Sequence, residues 1–363
     1  MKKISILVAA FAMIAFAGCN KEKENQGFTP DENGMVSFTM GAESYGPVAK
    51  QAYYAYDQYI LFEVGDQCYA NGYLANIALI DPATNNEITG DATATSNLGR
   101  ITVPAAAATT PFTVLYPAGS FVEGTEADYP AWNVPMNNKV YMIPEVSQEG
   151  YHINVDYTES TPNWPMAAQL NDFRGTYQLR HAVAILTPQF QFGTTYLTRL
   201  AQRISAMANI VPTNIALIPD SIILKSTNRM LSGNSHIDLT NPDEPILVMD
   251  GTLPATGDSI IIYPSVSAPS YYMAGVGDNP PTTNMGNFTL APKPRGQQLN
   301  LNMKFYFTLS DGTQLFHCVY NGEAFDVTDT PRNGSVLRGR RTFLGVDLYT
   351  AEGARKTTLL SVE

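Results

Sequence analysis

Four histidines and three cysteines are the side chains of this 363-residue sequence best suited to metal binding or nucleophilic attack. None of the histidines falls in a motif that does either. His152, His181, His236 and His317 are isolated, without the i, i+4 pairing by which a helix presents two imidazoles to zinc. No Gly-x-Ser-x-Gly elbow and no phosphate loop occur, and Gly275-Val276-Gly277 runs into Asp278-Asn279-Pro280, which makes it a loop and not a dinucleotide fingerprint. Asp31-Glu32-Asn33-Gly34 and Asn241-Pro242-Asp243-Glu244 offer oxygens but lack the alternating acids and distant Glu of a calcium loop, so both read as turns. Carboxylate pairs for glycoside cleavage leave no trace in sequence, and a hydrolase with scattered acids stays open on that ground. The sequence thus names no catalytic residue, no metal ligand and no cofactor, and the expectation is a protein that is not an enzyme.

Cys19 is the cysteine in a reactive setting. Lys2 and Lys3 precede an apolar run, Ile4–Ala17, too short for the roughly 20 residues of a membrane span and read as a secretory signal over residues 1–18. Ala17 and Gly18 then place small residues before Cys19, as in a bacterial lipobox. The chemistry expected is a thioether to diacylglycerol on Cys19 with an amide-linked acyl chain such as palmitate on its amine. Two attachments of this kind hold a protein stably on a membrane. Residues 19–33 follow as a polar tether, Asn20-Lys21-Glu22-Lys23-Glu24-Asn25-Gln26-Gly27 being without a hydrophobic pattern.

The rest of the chain must supply the body that this anchor holds. Lys and Arg number 22 against 33 Asp and Glu, a formal charge of −11, which excludes a nucleic-acid partner whose phosphates need a basic face. A 44% hydrophobic content supports a packed core, while 27 glycines and 24 prolines interrupt the chain too often for long helices. Strand-like runs bounded by turn residues recur from Met35–Met40 to Thr357–Val362, and one helix is expected at Thr195–Asn209, where Leu197, Leu200, Ala201, Ile204 and Ala208 share a face. The fold class read from this spacing is mainly β, two tandem β-sandwich domains with few short helices. The first is assigned to residues 34–187 and the second to 188–363, with the boundary near Pro188.

Two dipeptides predict hairpins. Asn71-Gly72 favours a two-residue turn and places Cys68 opposite Ala75. Around Asp311-Gly312, Leu299, Leu301, Met303, Phe305, Phe307 and Leu309 form one unbroken apolar face. Pairing Ser310 with Thr313 would put Phe307 opposite Phe316 and Phe305 opposite Cys318. A Cys68–Cys318 disulfide is open to a secreted chain, but two buried thiols are the favoured reading.

From Phe62-Glu63-Val64-Gly65-Asp66-Gln67-Cys68-Tyr69-Ala70-Asn71-Gly72 onward the sequence resembles the fimbrillin family, the lipoprotein pilins of Bacteroides-type bacteria. Phe112-Thr113-Val114-Leu115-Tyr116-Pro117-Ala118 is similar to its aromatic-Tyr-Pro-Ala strand end. Trp164-Pro165-Met166-Ala167-Ala168 resembles its Pro-Met-x-Ala segment, and Tyr177–Leu186 the strand that follows. The resemblance implies transthyretin-like sandwiches, a route to the surface on lipid, and removal of the N-terminal strand by a trypsin-like protease. Neighbouring fimbrial subunits then join by β-strand addition into the vacated groove.

Residues present here suit that scheme. Val36, Phe38 and Met40 alternate with polar residues and would fill the groove, with Lys50 in the following loop as the candidate processing site. Lys stands where family members carry Arg, which leaves open an uncleaved anchor or accessory role, and also a plain solvated lysine. Leu344, Val346 and Leu348, then Thr358, Leu360 and Val362 after a turn at Glu352-Gly353, form the candidate donor, an open hairpin; strands that close their own domain are the other reading. A second function class is a surface binding module for glycan or host protein, using Tyr129 with Trp132, Trp164, or Tyr271 with Tyr272.

Overall fold

The computed structural model describes residues 30–43, 61–109, 111–123, 139–143, 146–147, 164–170, 177–263, 272–276, 280–292, 299–322, 325–326, 336–339 and 341–363. The signal segment 1–18, Cys19, most of the 19–33 tether, Lys50, Tyr129, Trp132 and Tyr271 lie outside them. The architecture is mainly β, with two helices, α1 (Thr194–Arg203) and α2 (Ala351–Lys356), among the described residues. No helix of the described residues is long and apolar enough to cross a membrane.

The N-terminal core departs from the expected sandwich. Seven strands close on themselves in the order β1 (Met35–Ala42), Tyr177–His181, Met166–Leu170, Phe112–Tyr116, Gln67–Ala70, Tyr73–Ile80 and Leu98–Pro104, the last returning to β1. Closure removes the exposed edges that an open sheet would carry. Asn71 and Gly72 both take positive φ, 44° and 83°, so the turn there has two residues and Cys68 faces Ala75 as the dipeptide predicts. Gly99 lets the sheet curl tightly, since a Cβ there would lie 2.4 Å from the Ile77 side chain and 3.1 Å from Phe62.

The second core lies between two sheets. The larger runs Val146–Ser147, Asp258–Ile262, Ala216–Ser226, Asn300–Ser310, Leu315–Asn321 and Thr357–Val362. The smaller centres on Ala184–Phe192, paired in parallel over eight positions with Arg341–Leu348. Phe190 of the small sheet meets Phe305 of the large one at 6.0 Å, and Phe305 stacks on Phe307 at 5.0 Å. Helix α1 begins one residue before the predicted start and ends at Arg203, with Tyr196, Leu197 and Leu200 buried. Cys68 and Cys318 are buried free thiols in different cores, and burial pushes each up to about 12.

Four features of the sequence reading need correction. The run Tyr177–Leu186 is two strands, Tyr177–His181 and Ala184–Phe192, and Pro188 sits inside the second instead of in a linker. The change of core happens beside it: Val183 and Ile185 pack in the N-terminal core, Ala184 and Leu186 in the other. The two halves also interlock, since Gly233–Asp238 and Ile246–Met249 share a sheet with Phe121–Glu123 and Lys139–Ile143, and Ile237, Leu239 and Leu247 join the N-terminal core. A division at one point into 34–187 and 188–363 misses that exchange.

The third correction concerns Asp311-Gly312. Ser310 pairs with Leu315, so Phe307 faces Cys318 and Phe305 faces Tyr320. The Asp311 carboxylate accepts bonds from the backbone N–H of Thr313 and Gln314 and from the Thr313 hydroxyl, holding a four-residue loop in place of a two-residue turn. The slip is of two residues, so every side chain keeps its expected face.

Fourth, the C-terminal segment is no open hairpin. Leu344, Val346 and Leu348 are buried in the core of their own body. Helix α2 replaces the Glu352-Gly353 turn: Thr350 caps it by accepting from Gly353 N–H at 3.2 Å, and a Cβ on Gly353 would collide with the Asp347 carbonyl. The closing strand Thr357–Val362 pairs with Leu315–Asn321 at the edge of the large sheet, and a bulge between His317 and Cys318 shifts its phase. Thr357 and Leu359 therefore sit opposite Tyr320 and Cys318, while Thr358 and Leu360 turn outward.

Candidate functional site

The first strand of the described residues, β1, is held at its start, along both edges and at its end. Asp31 prepares it: its carboxylate accepts from the N–H groups of Asn33 at 2.9 Å and Met35 at 2.8 Å, with Gly34 at φ 75°. Asp31-Glu32-Asn33-Gly34 is thus a turn, and no metal-binding cluster of His, Cys, Asp or Glu occurs among the described residues. β1 then runs antiparallel to Leu98–Pro104 over seven paired positions and parallel to Tyr177–His181 over three. Alternation does the rest. Val36, Phe38, Met40 and Ala42 are buried, and Phe38 packs on Phe112 at 4.8 Å and edge-on to Tyr177 at 6.4 Å.

At the end of β1 the structure brings together a group that sequence reasoning missed. The Glu43 carboxylate takes Arg338 Nη1 at 2.8 Å and Nη2 at 3.3 Å, the backbone N–H of His181 at 2.9 Å, and Arg180 Nη1 at 3.8 Å. Its backbone carbonyl lies 2.9 Å from His181 Nε2, and its N–H donates to the Leu179 carbonyl. Arg338 is held independently by the His181 carbonyl at 3.0 Å. These partners are 138 and 295 residues apart in sequence, so only the fold assembles them, and no local pattern marks Glu43 or Arg338. A forked guanidinium on a half-buried carboxylate is the strong form of an ion pair.

His181 lies at the centre of this latch. Burial pulls its ring down to about 3, the Arg338 charge adds to that, and the bond to the Glu43 carbonyl opposes it. An unfolded chain would protonate the ring near 6.5, while the folded chain stays neutral far below. Stability from this ring is therefore complete above pH 6.5 and is lost as pH falls from there toward 3, at about 1.4 kcal/mol per pH unit. Urea unfolding at pH 6.5 and pH 5 is expected to show a fall of about 2 kcal/mol from this residue. The His181→Gln variant is expected to lack that part of the fall.

The other predicted site residues divide. Val36, Phe38 and Met40 share one groove. Leu344, Val346 and Leu348 lie in the second core, and Thr358, Leu360 and Val362 on its edge strand, with Leu360 55% and Val362 39% exposed. Of the aromatic candidates, Trp164 and Tyr272 are the two among the described residues, and neither is an exposed ring. Trp164 is buried in the N-terminal core, and Tyr272 packs edge-on against Phe190 at 4.9 Å.

No protein-family model and no curated protein matches this chain, so the fimbrillin resemblance finds no counterpart there. Among solved structures the chain is similar to a candidate cell adhesion protein from Bacteroides ovatus, at 10% identity and a TM-score of 0.36, covering 93% of this chain and 98% of that one. It is also similar to a candidate adhesin from Bacteroides ovatus, at 10% identity and a TM-score of 0.27, covering 82% of this chain and 88% of that one.

Proposed function

We propose that this protein is a non-enzymatic subunit of a cell-surface fimbria, anchored in the outer membrane through lipid on Cys19 and supporting adhesion. It assembles when a protease cuts after Lys50, β1 leaves, and a strand of a neighbouring subunit takes its place. The observation that carries this reading is the seating of β1: the first strand among the described residues closes a barrel and is followed within eight residues by Lys50. Its departure would bare the pockets of Val36, Phe38 and Met40, at roughly 1.5–3 kcal/mol each. It would also leave unpaired backbone along both Leu98–Pro104 and Tyr177–His181. An incoming strand restores both by β-augmentation. The edge strand Thr357–Val362 is the donor this reading favours, since Thr358 and Leu360 are not used by its own core.

The N-terminal residue of the protein recovered from intact cell surfaces tests the scheme. Assembled material starting at Gln51 is expected. Assembled material that starts at lipidated Cys19 throughout would overturn cleavage as the trigger.

A further inference from the structure

The groove that holds β1 has a chemical end as well as an apolar floor. Besides its fork on Glu43, Arg338 is tied to the body: its guanidinium donates to the His181 carbonyl at 3.0 Å, and the next residue, Gly339, donates its N–H to the Val183 carbonyl at 2.9 Å. The His181 N–H that binds Glu43 likewise belongs to the strand beside the groove. When β1 departs, Glu43 goes with it, and these donors stay aimed at the place its carboxylate held, with Arg180 beside them.

This matters because apolar matching alone cannot fix where a new strand stops. Side chains repeat with period two, so a slip of two residues keeps every apolar group on the correct face. The same slip carries an end carboxylate about 6.8 Å along the strand, out of reach of Arg338. We propose that Arg338, Arg180 and the His181 N–H form a carboxylate-reading pocket that sets the register and identity of the incoming strand, and that Glu363 of a second copy fills it. This rests on the strand-addition reading above.

The end of the closing strand follows that of β1: Val362-Glu363 matches Ala42-Glu43 and Leu360 falls at the Met40 position, while Thr358 and Lys356 fall at those of Phe38 and Val36. In its own body the Glu363 side chain is largely exposed and lies 3.5 Å from His317 Nε2, a weak hold on a surface charge. Thr358 underfills the Phe38 pocket, so the tethered native β1 outcompetes this strand until cutting frees it.

The test uses the full chain with a protease recognition sequence inserted between Gly46 and Lys50, then cut. Fluorescent synthetic peptides Met35–Glu43 and Lys356–Glu363 are titrated onto it, each beside its version with glutamine at the acidic end (Glu43→Gln, Glu363→Gln). Both acidic peptides are expected to bind, and each glutamine version to bind at least about tenfold more weakly, the scale of a charge-assisted bond. Arg338→Gln in the cut protein is expected to shrink the difference, Arg180 and the His181 N–H remaining. Should that variant not fold, the peptide pairs on the unaltered groove still decide. Equal binding of acid and amide would overturn the carboxylate pocket and leave strand addition standing. Discrimination by the Met35–Glu43 pair with no binding of Lys356–Glu363 would overturn the second copy's strand as occupant. Binding of neither peptide would remove strand addition itself.

Discussion

Replacing Phe38 by alanine is expected to cost about 3–5 kcal/mol of stability, a large share of the roughly 5–15 kcal/mol that holds a typical domain together. The ring lies fully within the N-terminal core, 4.8 Å from Phe112 and edge-on to Tyr177, so truncation leaves a cavity lined by other strands of a closed barrel that cannot collapse inward. Ser37, its neighbour, faces outward and shares a hydroxyl contact with Thr102 at 2.8 Å. Ser37→Ala is expected to change stability by about 0.5 kcal/mol or less, the scale of an exposed substitution. Urea unfolding of the two variants side by side separates a seated strand from one lying loosely on the surface. Equal midpoints would mean β1 contributes nothing to the barrel.

How much of this was legible in the sequence depended on distance along the chain. The Asn71-Gly72 hairpin was read to the residue because its turn demands two positive φ angles and nothing else competes. The long strand Asn300–Ser310 was read to the correct face but two residues out of register, because a single carboxylate, Asp311, widened the loop. At the C-terminus the alternation of Thr358, Leu360 and Val362 was real but a bulge in the partner pairing reset its phase, and a bulge has no signature in either strand alone. Closure of the first sheet into a barrel and the exchange of Gly233–Met249 between cores are pairings between distant segments, which periodicity does not report.

The candidate site followed the same rule. The burial of Val36, Phe38 and Met40 was legible because a strand with one buried face writes its period into the sequence. Nothing in the sequence singles out Glu43, Arg180 or Arg338, and His181 stands there as one of four isolated histidines. Only the juxtaposition of β1 with Tyr177–His181 and with the segment entering Arg341–Leu348 turns them into a latch on the end of β1.

The second large effect is also the direct test of the central claim, that β1 is a plug whose place another strand can take. Full-length protein cut after Lys50, or at a recognition sequence inserted before it, is to be followed by light scattering on a sizing column, with the β1 fragment assayed in each fraction. The account predicts that the uncut chain runs as a monomer. The cut chain should shift, in a concentration-dependent way, to oligomers that lack the fragment. A cut chain that stays monomeric, whether it keeps β1 in place or loses it and unfolds, would contradict the account.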